Sequence, residues 1–72
     1  MSSYYIDMTQ SIDILEVSSE IKKLLNDENI CTLYELTEKN RSSLKKIGCT
    51  PVQIGDIEIQ LQLNGLDLNM KH

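Results

Sequence analysis

The chain has 72 residues, 40% of them hydrophobic, and a formal net charge of −4. A domain of this size buries only about 60% of its unfolded surface, so it can form one small core but not a buried catalytic cavity as well. Because the sequence has no Trp or Phe, the core must be aliphatic, with Tyr34 as an aromatic addition. The acidic balance disfavours strong nucleic-acid binding, although a local basic patch would still permit it.

Cys31 and Cys49 are the only cysteines. With no signal peptide before them, we expect two reduced thiols in a cytoplasmic protein; a disulfide or a redox switch is the alternative. With one histidine, at the C-terminus, the chain lacks the ligands for a zinc site, and no apolar run approaches the about 20 residues of a membrane span. We therefore expect no metal, no cofactor and no membrane contact.

Residues 1–10 predict a partly ordered N-terminal arm, in which Tyr4-Tyr5-Ile6 packs on the core edge or stacks on bases. Residues 11–72 predict one helical module. In its first helix Ser18 is the N-cap and Asn29 ends the helix in a left-handed conformation. The apolar face of this helix follows the helical period and comprises Val17, Ile21, Leu24 and Leu25.

Two short helices should follow. Thr32 and Glu35 fit a capping box that opens a helix over 33–38, with Leu33 and Leu36 facing inward. Asn40 then caps a third helix over 41–47, whose inward residues are Leu44 and Ile47. Gly48 stands at the position where a helix commonly ends.

Thr50-Pro51 predicts the start of a fourth helix, because Thr caps and Pro suits the first helical position. This helix should run over 51–63, with Ile54, Ile57 and Leu61 inward, and end at Asn64-Gly65. The strict alternation over 57–63 reads locally as a strand, but no second strand is available for pairing, so we favour a helix. Val52, Ile59 and Leu63 then form a second apolar stripe on the outside.

No catalytic constellation is recognisable, since the carboxylates fall on solvent-facing positions and no phosphate-binding glycine loop or nucleophile motif occurs. We therefore expect no enzyme activity. The turn Gly48-Cys49-Thr50 between two helices could face a phosphate through its amides and the following helix N-terminus. It has only one glycine, and Pro51 lacks an amide donor, so a purely structural turn is the simpler interpretation.

The order and spacing of these caps and core residues, from about residue 8 to 70, resemble the C-terminal domain of the bacterial RNA polymerase α subunit. The matching residues are Ile12, Leu15-Glu16-Val17-Ser18, Leu25, Ile30-Cys31-Thr32-Leu33, Glu35-Leu36-Thr37, Leu44, Lys46-Ile47, Ile54, Ile57, Leu61 and Gly65-Leu66. The resemblance implies an all-α fold of four to five short helices that contains a helix-hairpin-helix motif.

The resemblance also implies where DNA would bind. That family reads the minor groove with an arginine near the start of its first helix, where this chain has Glu20, and a nearby asparagine of the family corresponds to Lys23. The hairpin segment is one residue shorter here, with Thr50, Pro51, Val52 and Gln53 in it. A carboxylate in place of the arginine should repel the negative groove.

The resemblance therefore implies a non-catalytic, transcription-associated binding module of a bacterium or phage, acting through contacts with polymerase, sigma factor or a regulator. Weak DNA binding through Lys22, Lys23, Lys45 and Lys46 is one alternative, and helical self-association is another. The candidate DNA or partner face comprises Glu20, Lys22, Lys23, Lys45, Lys46, Gly48, Thr50 and Gln53. The candidate apolar partner stripe comprises Val52, Ile59 and Leu63.

Overall fold

A computed structural model describes residues 7–70, and this part of the chain is all-helical, as predicted. In chain order it contains a 3-10 turn at Ile12–Ile14, then α1 Ser19–Asp27, α2 Leu33–Thr37, α3 Arg41–Lys46 and α4 Pro51–Leu63. The 3-10 turn was not predicted, and α2 and α3 each end one residue earlier than expected. Tyr4-Tyr5-Ile6 lies outside the described residues.

The alternating segment 57–63 is helical, which confirms the choice of helix over strand. Within residues 7–70 the only extended pairing is an isolated antiparallel bridge between Ser11 and Thr32. No helix in that range is long and apolar enough to cross a membrane.

Each helix begins at its predicted cap. The side-chain oxygens of Ser18, Thr32, Asn40 and Thr50 accept from the backbone N–H three residues later, at 3.3, 3.2, 2.8 and 3.1 Å. Each such bond satisfies one amide that has no partner inside the helix and stabilises it by about 1 kcal/mol. The local sequence therefore specifies all four helix starts.

Three helices end with the same hydrogen-bond pattern, the Schellman motif. Asn29, Gly48 and Gly65 follow α1, α3 and α4 with φ of 60°, 111° and 76°. The next residue's N–H then returns to a carbonyl in the last turn: Ile30 to Leu25 at 2.9 Å, Cys49 to Leu44 at 3.1 Å and Leu66 to Leu61 at 2.8 Å. All six of these bonded residues are buried, so each helix end also turns the chain into the core.

The core is aliphatic, as the composition predicted. Its buried residues are Ile12, Leu15, Ile21, Leu25, Ile30, Leu33, Leu36, Leu44, Cys49, Ile54, Ile57, Leu61, Leu66 and Leu68. The expectation that Tyr34 joins the core was wrong, since its side chain is 43% exposed. Leu33 and Leu36 occupy the inward side of α2, and a residue directly after Leu33 is rotated about 100° away from it.

Both ends of the described chain bind α2. At its N-terminus the amides of Leu33 and Tyr34 donate to the carbonyls of Gln10 and Met8 at 3.0 and 2.9 Å. Beyond its C-terminus the amides of Asn69 and Met70 donate to the carbonyls of Lys39 and Thr37, both at 2.8 Å. The five-residue α2 thus has partners for backbone groups that so short a helix cannot satisfy by itself.

Candidate binding surface

The start of α1 lies against the start of α4. Gln53 Nε2 donates to Glu20 Oε1 at 3.0 Å, while Gln53 Oε1 accepts from the Thr50 amide at 2.9 Å. Gln53 is the N3 residue of α4 and completes a capping box with Thr50. The structure therefore brings together three of the candidate face residues, Glu20, Thr50 and Gln53, in one hydrogen-bonded chain.

Gly48 lies in the turn between α3 and α4, next to α1. A Cβ at this position would lie 3.5 Å from Leu24 Cδ2, so α1 passes directly over the turn between α3 and α4. The positive φ of Gly48, 111°, accounts for glycine here, since 3.5 Å is an ordinary van der Waals distance. The Leu24 side chain of α1 thus packs next to the turn.

The backbone amides of the turn are already used within the chain. Gly48 and Cys49 donate to the carbonyls of Lys45 and Leu44, both at 3.1 Å, and Thr50 donates to Gln53 Oε1. Pro51 has no amide hydrogen. A phosphate at this turn would have to displace these bonds, and the neighbouring Glu20 carboxylate would repel it.

The candidate lysines differ in their surroundings. Lys22 Nζ donates to the Asp13 carbonyl at 3.3 Å, beside the 3-10 turn, whereas Lys23 is exposed on α1. Lys45 lines a shallow hollow of about 220 Å³ next to Pro51. Lys46 lines a different hollow of about 290 Å³, together with Lys39. These lysines thus have different neighbours, and their joint role in binding stays a prediction.

The outer stripe lies where the helical period places it. Val52, Ile59 and Leu63 are 74%, 55% and 75% exposed, whereas Ile54, Ile57 and Leu61 on the opposite side of α4 are at most 4% exposed. The external position of these three residues is confirmed. Their role in binding a partner stays a prediction.

Two contacts of α4 were not foreseen from the sequence. Arg41 and Glu58 form an ion pair at 3.3 Å between α3 and α4, and the Glu16 amide donates to Gln60 Oε1 at 3.2 Å. Neither pair has a local signal, because each joins different elements. The capping role of Gln53 did have one, since Thr50 followed three residues later by Gln is a capping-box pattern.

Both cysteines are free thiols, Cys31 exposed and Cys49 buried. Burial raises the pKa of the Cys49 thiol, which keeps it neutral and unreactive. Among residues 7–70, no group of three or more His, Cys, Asp or Glu side chains could hold a metal ion.

The chain matches no protein-family model and no curated protein.

Proposed function

We propose that this chain is a non-catalytic binding module that acts through protein contacts in transcription, with polymerase, sigma factor or a regulator as its partner. The transcription assignment is supported by the resemblance of its caps and core positions to the C-terminal domain of the polymerase α chain. The observation that carries the preference for protein over DNA is the hydrogen bond from Gln53 to Glu20 at the hairpin.

This hydrogen bond bears on the DNA alternative in two ways. It holds a carboxylate beside the turn where the family that the chain resembles presents an arginine to the minor groove, and like charges repel there. It also engages the Gln53 side chain, whose Oε1 accepts from the Thr50 amide. A phosphate at the turn would therefore compete with the bond between Gln53 and the Thr50 amide and would face the Glu20 carboxylate.

The surroundings of the candidate lysines also favour a protein partner over DNA. Phosphate binding gains affinity from several cations that act together on one backbone. Lys22 is engaged at the Asp13 carbonyl, and Lys45 and Lys46 line separate hollows. With a net charge of −4, the chain also has little long-range attraction for DNA.

An NMR titration of the labelled chain tests the proposal, first with an A/T-rich duplex at low and moderate salt and then with purified polymerase and sigma factor. We expect no salt-sensitive shifts at Lys23 or at residues 48–53 with the duplex. We expect line broadening with at least one of the two proteins, because a bound module tumbles with its large partner.

Salt-sensitive shifts at the turn would instead establish a DNA-binding module, since phosphate contacts require a negative slope of affinity with salt. Absence of broadening with both proteins would overturn the assignment to polymerase and sigma factor. The duplex and the proteins thus test the two parts of the proposal separately.

A further inference from the structure

The helix α4 is apolar on two opposite sides. One side forms part of the core, and the other carries Val52, Ile59 and Leu63, which are 55–75% exposed. These three residues follow one another at i, i+7 and i+11, so they lie in one line about 17 Å long on the helix surface. The core does not need them, and an aligned apolar surface of this kind commonly marks a binding site.

The outer line of α4 is bordered by acidic residues. Asp56 lies within it, one turn after Val52 and one turn before Ile59. Along one edge the Gln53 side chain donates to the Glu20 carboxylate at 3.0 Å, so a second acidic side chain lies beside it. The helix itself has no Lys, Arg or His. A partner that complements this surface must therefore be basic.

Gly55 borders the outer line on its other edge. A Cβ added there would meet no atom within 4 Å, and its φ is not in the left-handed region. The fold therefore has no need of glycine at this position, although glycine inside a helix costs about 1 kcal/mol relative to alanine. The bare backbone beside Val52 and Ile59 leaves room for a second helix to approach closely.

A second copy of the chain fits this surface poorly. Pairing two copies of α4 would bring two acidic surfaces together with no cation from either helix. A basic amphipathic helix from another protein satisfies both the apolar line and its acidic border.

We propose that the outer face of α4 is a docking site for a basic amphipathic helix of another protein, with Val52, Ile59 and Leu63 as anchors and Asp56 as the charge contact. This inference rests on the proposed function in that the partner is a protein. It adds the face that is used and the chemistry that is recognised.

The test uses the full chain and two synthetic 18-residue amphipathic peptides of identical pattern, one of Leu and Lys and the other of Leu and Glu. We expect NMR shifts with the Leu/Lys peptide that centre on Val52, Asp56, Ile59 and Leu63, and none with the Leu/Glu peptide. Equal binding of both peptides, or shifts that centre elsewhere, would overturn the proposal.

Uncharged substitutions then test whether the Leu/Lys peptide binds to the outer face of α4. We expect Ile59→Gln to weaken Leu/Lys peptide binding about tenfold, and Asp56→Asn to weaken it severalfold and to reduce its salt dependence. Ile14→Gln is the matched control, because Ile14 is 44% exposed and lies outside α4. If Ile14→Gln costs as much as Ile59→Gln, the peptide is binding to apolar surface without preference and the proposal fails.

Two measurements on the free chain test other occupants. In sedimentation, a dimer that Ile59→Gln converts to a monomer would assign the face to a second copy and overturn the proposal. A nuclear Overhauser contact from Tyr4 or Tyr5 to Leu63 would assign it to the chain's own first residues, with the same consequence. We expect a monomer and no such contact.

The proposed function and this inference can fail separately. If polymerase or sigma factor binds the chain and Ile59→Gln does not weaken that binding, the inference fails and the proposed function stands. If the Leu/Lys peptide binds through α4 and neither protein binds, the docking face stands and the assignment to polymerase and sigma factor fails.

Discussion

Glu20 makes a side-chain contact between two helices. Its carboxylate accepts from Gln53 at 3.0 Å and thereby joins the first turns of α1 and α4. In the family that the chain resembles, an arginine at the matching position enters the DNA minor groove. Glu20 therefore has the opposite charge to that arginine, and its side chain contacts Gln53 of the same chain.

We expect Glu20→Arg to raise affinity for an A/T-rich duplex about fivefold at low salt, because a cation replaces an anion beside the turn. Fluorescence anisotropy at two salt concentrations would measure this. Glu38→Arg is the control, since it changes the net charge equally at the end of α2. An unchanged affinity for Glu20→Arg would show that the internally bonded turn amides, and not charge alone, prevent DNA binding.

Glu35 stabilises the start of α2 in a pH-dependent way. Its Oε1 accepts from the Cys31 and Thr32 amides at 3.0 and 3.2 Å, and these bonds lower the pKa of the carboxyl, with the Cys31 amide contributing most. A lowered pKa in the folded state means that the stabilisation is complete above the ordinary glutamate pKa, about 4.3. It is lost as the pH falls through the lower folded value.

We therefore expect the stability difference between the wild type and Glu35→Gln to be constant near neutral pH and to shrink below about pH 4, once the carboxylate protonates. Urea unfolding at a series of pH values would measure it. A difference that grows on acidification would have the wrong sign and would contradict the assigned hydrogen bonds.

At the scale of elements, α4 has two apolar sides, one buried and one exposed. Two isoleucines that are two residues apart lie on different sides. Ile57 is fully buried, whereas Ile59 is 55% exposed. A strand over the same residues would have put both on one face, because strand side chains alternate. These two positions therefore also report which secondary structure the segment forms.

We expect Ile59→Lys to change the stability by no more than about 0.5 kcal/mol, as is usual for an exposed position. Ile57→Lys should unfold the chain, since burying an unpaired charge costs more than about 4 kcal/mol, close to the whole stability of a small domain. Circular dichroism with thermal unfolding would compare them. Unfolding of both variants would show that α4 packs with a different face toward the core.

Gly55→Ala should stabilise the free chain by about 0.5–1 kcal/mol, because alanine restricts the unfolded chain and fits the helix. The melting temperature would then rise by about 2–8 °C. Gly65→Ala is a matched control, since both positions are open around a new Cβ but only Gly65 has a positive φ, 76°. Gly65→Ala should destabilise by about 1 kcal/mol; the same sign for both variants would contradict this explanation.

At the scale of the whole molecule, stability depends on how the two ends of the described chain bind α2. The segment after α4 returns over the core, burying Leu66 and Leu68, and reaches the carbonyls of Thr37 and Lys39. The segment before the 3-10 turn binds the other end of α2. A helix of five residues is unstable alone, so these distant contacts hold it in place.

We expect Leu68→Ala to cost about 2–3 kcal/mol, because it removes buried methyl groups and leaves a cavity. Leu63→Ala should be near neutral, because that side chain is 75% exposed. Chemical denaturation of the two variants would give the comparison. Equal costs would mean that the segment after α4 contributes little to the core.

Much of the fold could be predicted from local sequence. The four caps, the left-handed residue after α1 and the Thr50-Pro51 start all involve atoms within a few residues, so their hydrogen bonds do not depend on distant packing. The outer position of Val52, Ile59 and Leu63 followed from the helical period once α4 was assigned. The inward prediction for Tyr34 failed because composition gives no direction for a side chain.

The sequence by itself determined where the four α-helices start, where they end to within one residue, and which side of each is buried. Helix ends follow from short-range hydrogen bonds, and the buried side follows from periodicity. Only the tertiary structure decided which helix ends meet. The Gln53–Glu20 bond joins residues 33 apart and the Glu16–Gln60 bond residues 44 apart, and such pairs depend on how the helices pack around the shared aliphatic core. For the same reason, the return of the last described residues onto α2 required the assembled fold.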